Sequence, residues 1–278
     1  MHKTNTTKPP AFLYGTAWKE EDTKDLTLLA LQAGFRGIDT ANKRKHYFEA
    51  AVGKGIAEFL QSTDSTREHL FLQTKFTYQT GQDHRLPYNP NADYSTQVKE
   101  SFASSLEHLQ TDYIDSYVLH GPRLRQGLDD ADIEVWNAME VLQEQGSAKV
   151  LGVSNVNAEQ LATLFQKAQV KPAFVQNRCY AQMGWDKEVR IFCQKNNIVY
   201  QGFSLLTANR PLLTHPQVQA IATRLQKNPA QIIFSFALHV GMLPLTGTSS
   251  QKHMQEDLAA TASDLSADDV NLIENLAL

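Results

Sequence analysis

Short apolar runs alternate with longer segments of helical periodicity along almost the whole chain. The apolar runs contain few polar residues and lack strict alternation, which is typical of parallel strands covered on both faces. Their ends are about 33 residues apart, which suits one strand–helix unit. The runs predict eight strands, at Phe12–Ala17, Phe35–Ala41, Leu70–Phe76, Tyr113–His120, Lys149–Asn155, Phe174–Cys179, Ile198–Ser204 and Met242–Thr248.

The segments between these runs carry the marks of helices. After the first strand, Leu26, Ala30 and Ala33 recur at helical spacing, and Gly34 follows as a C-terminal glycine. Later helices are predicted to begin beside residues that favour a helix start, namely Asn157, Pro229 and Ser266. The repeated alternation of strand and helix predicts an α/β fold, a (β/α)₈ TIM barrel.

A doubly wound sheet is the alternative fold, but it usually begins with a glycine-rich phosphate loop. The turn after the first strand, Gly15–Glu20, has no such motif. No linker or break in composition interrupts the chain. We therefore predict a single barrel domain over residues 1–278, with residues 1–10 as a polar N-terminal extension.

Composition excludes several classes of protein. A hydrophobic fraction of 42% is incompatible with disorder, and 26 basic against 30 acidic residues argue against nucleic acid as a partner. Two cysteines, Cys179 and Cys193, cannot make a disulfide framework, and no long apolar run or signal region occurs. We expect a cytoplasmic protein without membrane contact that acts on a small molecule, either as a monomer or as a weak homo-oligomer.

Three ionisable residues end consecutive strands: Asp39, Lys75 and His120. Taken singly, Asp39 reads as a helix cap, Lys75 as a surface lysine and His120 as a core histidine. Together they fall at the carboxyl ends of neighbouring barrel strands, where active sites of this fold are built. Because such groups are costly to bury unpaired, their placement at the ends of consecutive strands indicates a common site.

The motifs at the strand ends resemble those of the aldo-keto reductase superfamily in order and spacing. The resemblance extends from about Gly15 to the last helix. It rests on Gly34–Ala41 with Tyr47, Thr74-Lys75, Leu119–Pro122, Gly152–Asn155, Val175–Asn177 and Gly247–Ser250.

This resemblance implies a catalytic tetrad at Asp39, Tyr47, Lys75 and His120 in an NADPH-dependent carbonyl reductase. Tyr47 would donate the proton, and His120 would orient the carbonyl oxygen. Because a free phenol has a pKa near 10, we expect Lys75, held by Asp39, to lower the pKa of Tyr47.

The resemblance also implies a cofactor site. Phe203 would stack on the nicotinamide, and Ser154, Asn155 and Gln176 would hold its carboxamide. Further cofactor contacts are expected at Gly15, Thr16, Ser204, Leu205, Gly247, Thr248, Lys252, His253, Glu256 and Asp257, with Arg210 near the pyrophosphate. The substrate pocket is expected to involve Trp18, Tyr47, His120, the Gln79–Tyr94 loop, and Tyr180 or Trp185.

The chain departs from the family pattern at three places. The segment Asn42–His46, with basic residues at 43–46, lengthens the step from Asp39 to Tyr47 and is either a solvated loop or an attraction for anions. Gly247 and His253 stand where many relatives carry Lys and Arg for the 2′-phosphate. The chain also ends about one helix after this region, so we expect a broad substrate range.

Three alternatives therefore stay open. NADH replaces NADPH if Gly247 and His253 weaken the phosphate grip. A cofactor-binding but catalytically slow regulatory or interaction subunit would use the same fold, although it has no need of a proton donor. A metal-dependent hydrolase is disfavoured, and no metal is expected, because no second ligand accompanies His120 at metal-binding spacing.

Overall fold

The computed structural model describes residues 9–276, and eight parallel strands close in chain order into a barrel. The predicted (β/α)₈ fold is confirmed, and each strand overlaps one predicted run. The strands are β1 (Leu13–Gly15), β2 (Gly37–Asp39), β3 (Phe71–Phe76), β4 (Ile114–Leu119), β5 (Ala148–Ser154), β6 (Phe174–Arg178), β7 (Val199–Phe203) and β8 (Met242–Thr246). Of the predicted polar extension at residues 1–10, residues 1–8 lie outside the described part. The single-domain assignment stays a prediction.

Helices surround the barrel, and their predicted ends are confirmed. The first helix ends at Gly34, whose φ of 116° suits glycine, and Asn157 caps another by accepting from the amide of Gln160 at 2.8 Å. The helices are α1 (Thr23–Ala33), α2 (Glu49–Ser62), α3 (Tyr94–Leu109), α4 (Asp130–Glu144), α5 (Ala158–Lys167), α6 (Lys187–Lys195), α7 (Arg210–Leu213), α8 (Pro216–Leu225), α9 (Pro229–His239), α10 (Gln251–Leu258) and α11 (Ala267–Glu274).

The first two strands are shorter than predicted. The chain leaves the ladder soon after Gly15 and Asp39 and enters the loops at the barrel mouth. One hydrogen bond continues the contact beyond β1, from the Thr16 amide to the Asp39 carbonyl oxygen at 3.0 Å. Both strands are therefore short, and Asp39 lies at the end of β2 on the rim of the barrel.

The barrel interior changes character from one end to the other. Its amino-terminal part is an apolar cluster formed by five side chains from four strands, Leu13, Phe71, Phe174, Leu243 and Leu245. Because alternate residues of a strand face the same side, Gln73 and Lys75 follow Phe71 along the inner face of β3. Apolar side chains therefore fill the floor, and polar ones fill the carboxyl-terminal end.

The Gln79–Tyr94 loop follows β3 at the carboxyl end, as predicted. It is tied to the barrel by buried hydrogen bonds: the Tyr88 hydroxyl donates to the Thr77 carbonyl oxygen at 2.8 Å, and Gln82 donates to the Asn42 carbonyl oxygen at 2.8 Å. The loop braces the segments that leave β2 and β3.

Candidate active site

A cleft of about 1030 Å³ opens at the carboxyl ends of the strands. It contains most of the residues that sequence analysis assigned to catalysis, cofactor binding and substrate binding. Those that line it are Gly15, Trp18, Asp39, Tyr47, His120, Ser154, Asn155, Gln176, Phe203, Ser204, Leu205, Gly247, Thr248, Lys252, His253, Glu256 and Asp257.

Several predicted residues lie elsewhere. Thr16 is fully buried and donates its hydroxyl to the Asp39 carbonyl oxygen, and Trp185 is a core residue stacked near Phe236. Arg210, Tyr180 and the Gln79–Tyr94 loop are absent from the cleft lining, although part of that loop lines a smaller cavity. The sequence indicated where along the chain these residues lie. It did not show which way each side chain points, because that direction depends on the packing of each turn.

Asp39 and Lys75 form a buried ion pair beneath the cleft floor. Lys75 is fully buried, and its Nζ donates to Asp39 Oδ1 and to the Thr40 carbonyl oxygen, both at 2.7 Å. Burial lowers the pKa of Lys75, and the Asp39 carboxylate opposes that change. The pair thus places a cation below the cleft that is held by fixed oxygen atoms.

Tyr47 reaches the same place despite the lengthened segment before it. The amides of His46 and Tyr47 both donate to the Lys43 carbonyl oxygen at 3.0 Å, which forms a tight turn. The Tyr47 ring then lies 6.0 Å from the His120 ring, and Lys75 Nζ is 5.3 Å from its centroid. The added residues are therefore taken up by the turn, and Tyr47 keeps its position between Lys75 and His120.

The pKa of Tyr47 is raised above its ordinary value, by burial first and by the Asp39 charge second. The expectation of a lowered pKa for Tyr47 is wrong, because burial and the Asp39 charge raise it. The ammonium group is bonded to Asp39 and faces the ring, and no hydrogen bond from it to the phenol oxygen occurs among the described residues. Tyr47 is consequently a protonated phenol at neutral pH.

His120 is held in a single orientation. Its Nδ1 lies 2.7 Å from the Thr77 hydroxyl oxygen, and Asn155 donates to its carbonyl oxygen at 2.7 Å. Burial lowers the pKa of His120 well below its usual value, and the charges of Lys75, Lys43 and His46 lower it further. The imidazole is therefore neutral, so a Thr77 hydroxyl that donates to Nδ1 leaves the Nε2 proton as its donor.

Ser154, Asn155 and Gln176 meet at the ends of β5 and β6. The Ser154 hydroxyl donates to the Gln176 carbonyl oxygen at 2.6 Å and accepts from Asn155 Nδ2 at 3.0 Å. Asn155 has a positive φ of 54°, which Asn tolerates better than most residues. Within residues 9–276, Asn155 Oδ1 and Gln176 Oε1 carry no hydrogen bond, so both can accept from an amide.

Sequence analysis missed two polar residues below this group, Gln73 and Gln201. Both are fully buried, and Gln73 Nε2 donates to Asp39 Oδ1 at 2.7 Å and to Gln201 Oε1 at 2.8 Å. The position of Gln73, two residues before Lys75 on the same inner face, was the available indication.

The opposite end of the cleft is basic and more exposed. Lys252 Nζ lies 3.7 Å from Glu256 within α10, and His253 is in the first turn of that helix. Lys19, which was not predicted, donates from the loop after β1 to the Gly247 carbonyl oxygen. An amine therefore stands beside Gly247, where many relatives place a lysine side chain.

Asp257 is a buried carboxyl group at this end. Thr246 donates its hydroxyl to Asp257 Oδ2 at 2.7 Å, and burial raises the pKa of Asp257 to about 6. The start of α9 also lines the cleft through Asn228, Pro229 and Ala230, which were not assigned to the site. The proline marked this helix start, but only the packing of α9 beside α10 turns it towards the cleft.

The residues of the basic segment 43–46 contact different parts of the protein. Arg44 lies 3.5 Å from Glu21 and 3.9 Å from the Phe48 ring, whereas His46 stacks on Trp18 at 3.9 Å and lines the cleft. Lys43 and Arg44 also line the smaller cavity beside Tyr47, of about 280 Å³. The attraction of anions by this segment stays a prediction.

Residues 9–276 contain no cluster of three or more His, Cys, Asp or Glu side chains that could hold a metal ion. No helix in the described part of the chain is both long enough and apolar enough to cross a membrane.

The barrel carries its cleft over a buried Lys–Asp pair, and comparison with known proteins gives the family. The model of the Aldo/keto reductase family matches residues 11–277, so the chain belongs to that family. It is an NAD(P)H-dependent oxidoreductase of the carbonyl-reducing kind.

Relatives agree with this assignment over almost the full chain. The chain is 30% identical to "Uncharacterized oxidoreductase YtbE" of Bacillus subtilis, covering 98% of this chain and 90% of that protein. It is also 30% identical to the prostaglandin-E(2) 9-reductase of Oryctolagus cuniculus, covering 96% and 88%. Among solved structures, an aldo/keto reductase from Brucella melitensis superposes with a TM-score of 0.82 at 28% identity, covering 96% and 94%.

Proposed function

We propose that the protein reduces aldehydes or ketones to alcohols with NADPH, using Tyr47 as the proton donor and Lys75, Asp39 and His120 as its support. The observation that carries this proposal is the meeting of these four residues at one end of the cleft. A phenol, a neutral imidazole and a buried ammonium group there face one small volume.

The residues around this volume fit a nicotinamide cofactor. Asn155 Oδ1 and Gln176 Oε1 can accept from the carboxamide, and the Phe203 ring lies in the lining beside them. The cleft lining continues to Lys252 and His253, and the Lys19 amine donates to the carbonyl oxygen of Gly247 in the same lining. The two ammonium groups suit phosphate groups. When bound, the cofactor supplies the hydride for the carbonyl carbon.

Two donors converge on the place of the carbonyl oxygen. The Nε2 proton of His120 orients the oxygen, and the Tyr47 hydroxyl transfers its proton as negative charge develops there. The high pKa of Tyr47 keeps the proton in place until that charge forms. The phenolate that remains is then stabilised by the Lys75 ammonium group, which lies 5.3 Å from the ring centroid.

The basic end of the cleft supports NADPH, and one observation supports NADH as the second candidate. Lys19 and Lys252 supply cations near Gly247 and His253, which is the argument for a 2′-phosphate. However, Lys252 is close to Glu256, and His253 lacks the bidentate guanidinium with which arginine binds phosphate. The balance between the lysine cations and the Glu256 carboxylate decides whether NADPH or NADH is preferred.

The aromatic lining supports an apolar or aromatic carbonyl substrate. Trp18 is 67% exposed, and His46 stacks on it at the cleft edge. An exposed aromatic ring at the mouth of a cleft offers a flat surface to many substrates. We therefore propose a broad substrate range.

The test is the loss of nicotinamide absorbance with nitrobenzaldehyde, measured in parallel with NADPH and NADH. Turnover that is faster with NADPH supports both parts of the proposal. Faster turnover with NADH retains carbonyl reduction and overturns the cofactor preference. Cofactor binding by fluorescence without turnover on a panel of aldehydes and ketones would instead support the regulatory subunit.

A further inference from the structure

A paired amide system lies directly below the proposed catalytic residues. Gln73 Nε2 donates to Gln201 Oε1 at 2.8 Å, and Gln201 Nε2 donates back to Gln73 Oε1 at 2.9 Å. The two side chains cross the barrel from β3 to β7, so neither amide can turn without breaking both hydrogen bonds. Such a reciprocal pair is rigid because each amide satisfies the other without water.

This amide pair is connected to Asp39. Its Oδ1 accepts from Lys75 Nζ at 2.7 Å, from Gln73 Nε2 at 2.7 Å and from Gln176 Nε2 at 2.9 Å. Gln176 also donates to Gln201 Oε1 at 2.9 Å, which closes the network. One carboxylate oxygen thus receives three donors from three side chains.

The surroundings make these donors important. Below the amide pair lie the apolar side chains of the barrel floor, including Phe71 and Phe174, so solvent does not reach Asp39 from that side. A carboxylate in such a place is stabilised by hydrogen bonds to its charged form. With fewer donors, the negative charge of Asp39 is less well stabilised, and Asp39 holds the Lys75 ammonium group below Tyr47 less firmly.

We propose that Gln73 and Gln201 are positioning residues for carbonyl reduction, which keep the Asp39–Lys75 pair charged and hold the Gln176 amide with its oxygen towards the cofactor. This inference rests on the proposed function. Neither glutamine lines the cleft, so both act through Asp39 and Gln176.

The first test separates this role from simple stabilisation. Gln73→Leu alone leaves the buried Gln201 amide without its acceptor and is expected to lower Tm. The double variant Gln73→Leu/Gln201→Leu removes both partners and is expected to recover most of that stability. Its kcat nevertheless stays about tenfold to a hundredfold below that of the unchanged protein, because the charged pair above is no longer fixed.

A measurement of cofactor affinity and a control variant complete this test. Cofactor affinity, followed by fluorescence titration without substrate, is expected to fall by about threefold to tenfold in Gln201→Leu, because the Gln176 amide gains freedom to turn. Ser116→Ala is the matched control: Ser116 pairs with Gln73 in the β3–β4 register, and its buried hydroxyl has no hydrogen-bond partner among the described residues. It is expected to leave kcat and cofactor affinity unchanged.

The second test uses the nearly isosteric substitution Gln73→Glu. Among the described residues, Asp39 is the charged group bonded to this position, Lys75 is bonded to Asp39, and Tyr47 and His120 lie above that pair. The strands β6 and β7 contribute the neutral amides of Gln176 and Gln201. At low pH the new carboxyl group is protonated and donates to Asp39 as the amide did. At higher pH its charge opposes the negative charge that develops above Lys75. The ratio of variant to unchanged kcat should therefore fall as pH rises.

A double variant with kcat within about twofold of the unchanged protein, together with a pH-independent ratio for Gln73→Glu, would overturn the proposal. Failure of the proposed function is recognised separately, because the unchanged protein would then bind the cofactor without turnover, and retained turnover in Tyr47→Phe would exclude only that proton donor. If Tyr47→Phe abolishes turnover while both glutamine variants remain fully active, carbonyl reduction stands and only the positioning role is lost.

Discussion

The two ends of the cleft are built in opposite ways. At the Tyr47 end, Lys75 is fully buried and Asp39 is 2% exposed, and the hydrogen-bond network around them joins side chains on four strands. At the phosphate end, Lys252 and His253 are exposed, and Lys252 pairs only within its own helix at 3.7 Å. The first end is fixed by many interlocking contacts, whereas the second depends on a few exposed side chains.

This difference predicts at which end of the cleft the protein tolerates substitutions. A substitution at the buried end disturbs a shared network, so its effects on activity are expected to be large and non-additive. A substitution at the exposed end alters one charge in a solvated region, where each interaction contributes about 1 kcal/mol or less. The departures from the family pattern, Gly247 and His253, fall at the exposed end.

The largest effect is expected for Tyr47→Phe. Removal of the hydroxyl deletes the proposed proton donor while the ring contacts remain, so kcat should fall by between about 10²- and 10⁴-fold. Steady-state kinetics with an aromatic aldehyde measures this change. Tyr180→Phe, outside the cleft lining, is the matched control and should retain full turnover. Retained turnover in Tyr47→Phe would exclude that phenol from the mechanism.

The next largest effect is expected for Lys75→Met. It leaves Asp39 buried without its cation, so the free energy of unfolding should fall by about 3–5 kcal/mol and kcat by about a hundredfold. Adding Asp39→Asn removes the unpaired charge. The double variant should therefore regain stability in denaturant titrations without regaining kcat. If activity returned together with stability, the pair would be structural only.

A smaller change is expected at the exposed end. His253→Arg adds a permanent, bidentate cation where the 2′-phosphate of NADPH is proposed to lie, so the ratio of kcat/KM for NADPH to that for NADH should rise about tenfold. Gln251→Arg, which adds the same charge in α10 outside the cleft lining, is the control. An equal rise in both variants would indicate a general effect of charge.

The smallest effect is expected for Asp257→Asn. Because burial raises the pKa of Asp257 from 3.8 to about 6, the folded protein holds this proton more tightly than the unfolded chain does. The group therefore destabilises the fold above pH 6, and this cost disappears as pH falls towards 4. At pH 7, Asp257→Asn should stabilise the protein by up to about 2 kcal/mol.

Chemical denaturation between pH 4 and pH 7 measures this effect. The stability of Asp257→Asn should depend less on pH than that of the unchanged protein. Asp268→Asn, at an exposed position in the first turn of α11, is the control and should leave the pH dependence as it was. An unchanged pH dependence in Asp257→Asn would show that the carboxyl group is solvated in the folded protein.

Much of the fold was predictable from local pattern. The apolar runs located all eight strands, and Gly34, Asn157 and Ser266 marked helix ends correctly because these signals depend on neighbouring residues alone. The order of polar residues at strand ends likewise brought Asp39, Lys75 and His120 to one mouth of the barrel.

Contacts between distant strands were less predictable. Trp185 was assigned to the pocket but packs in the core, whereas Gln73 and Gln201, 128 positions apart, escaped notice although they meet inside the barrel. The expectation of a lowered pKa for Tyr47 also failed, because the depth at which the phenol is buried depends on three-dimensional packing.

Local patterns along the chain were therefore enough to predict the barrel, the order of its strands and the residue types at its carboxyl end, since periodicity and helix caps are local properties. Which side chains meet, how deeply each is buried and which charges neutralise one another follow only from the folded barrel. Those outcomes depend on barrel closure, which brings donors from β3 and β6 to one carboxylate oxygen of Asp39 on β2. Closure sets the dielectric surroundings and the hydrogen-bond partners, and no local pattern in the chain encodes either.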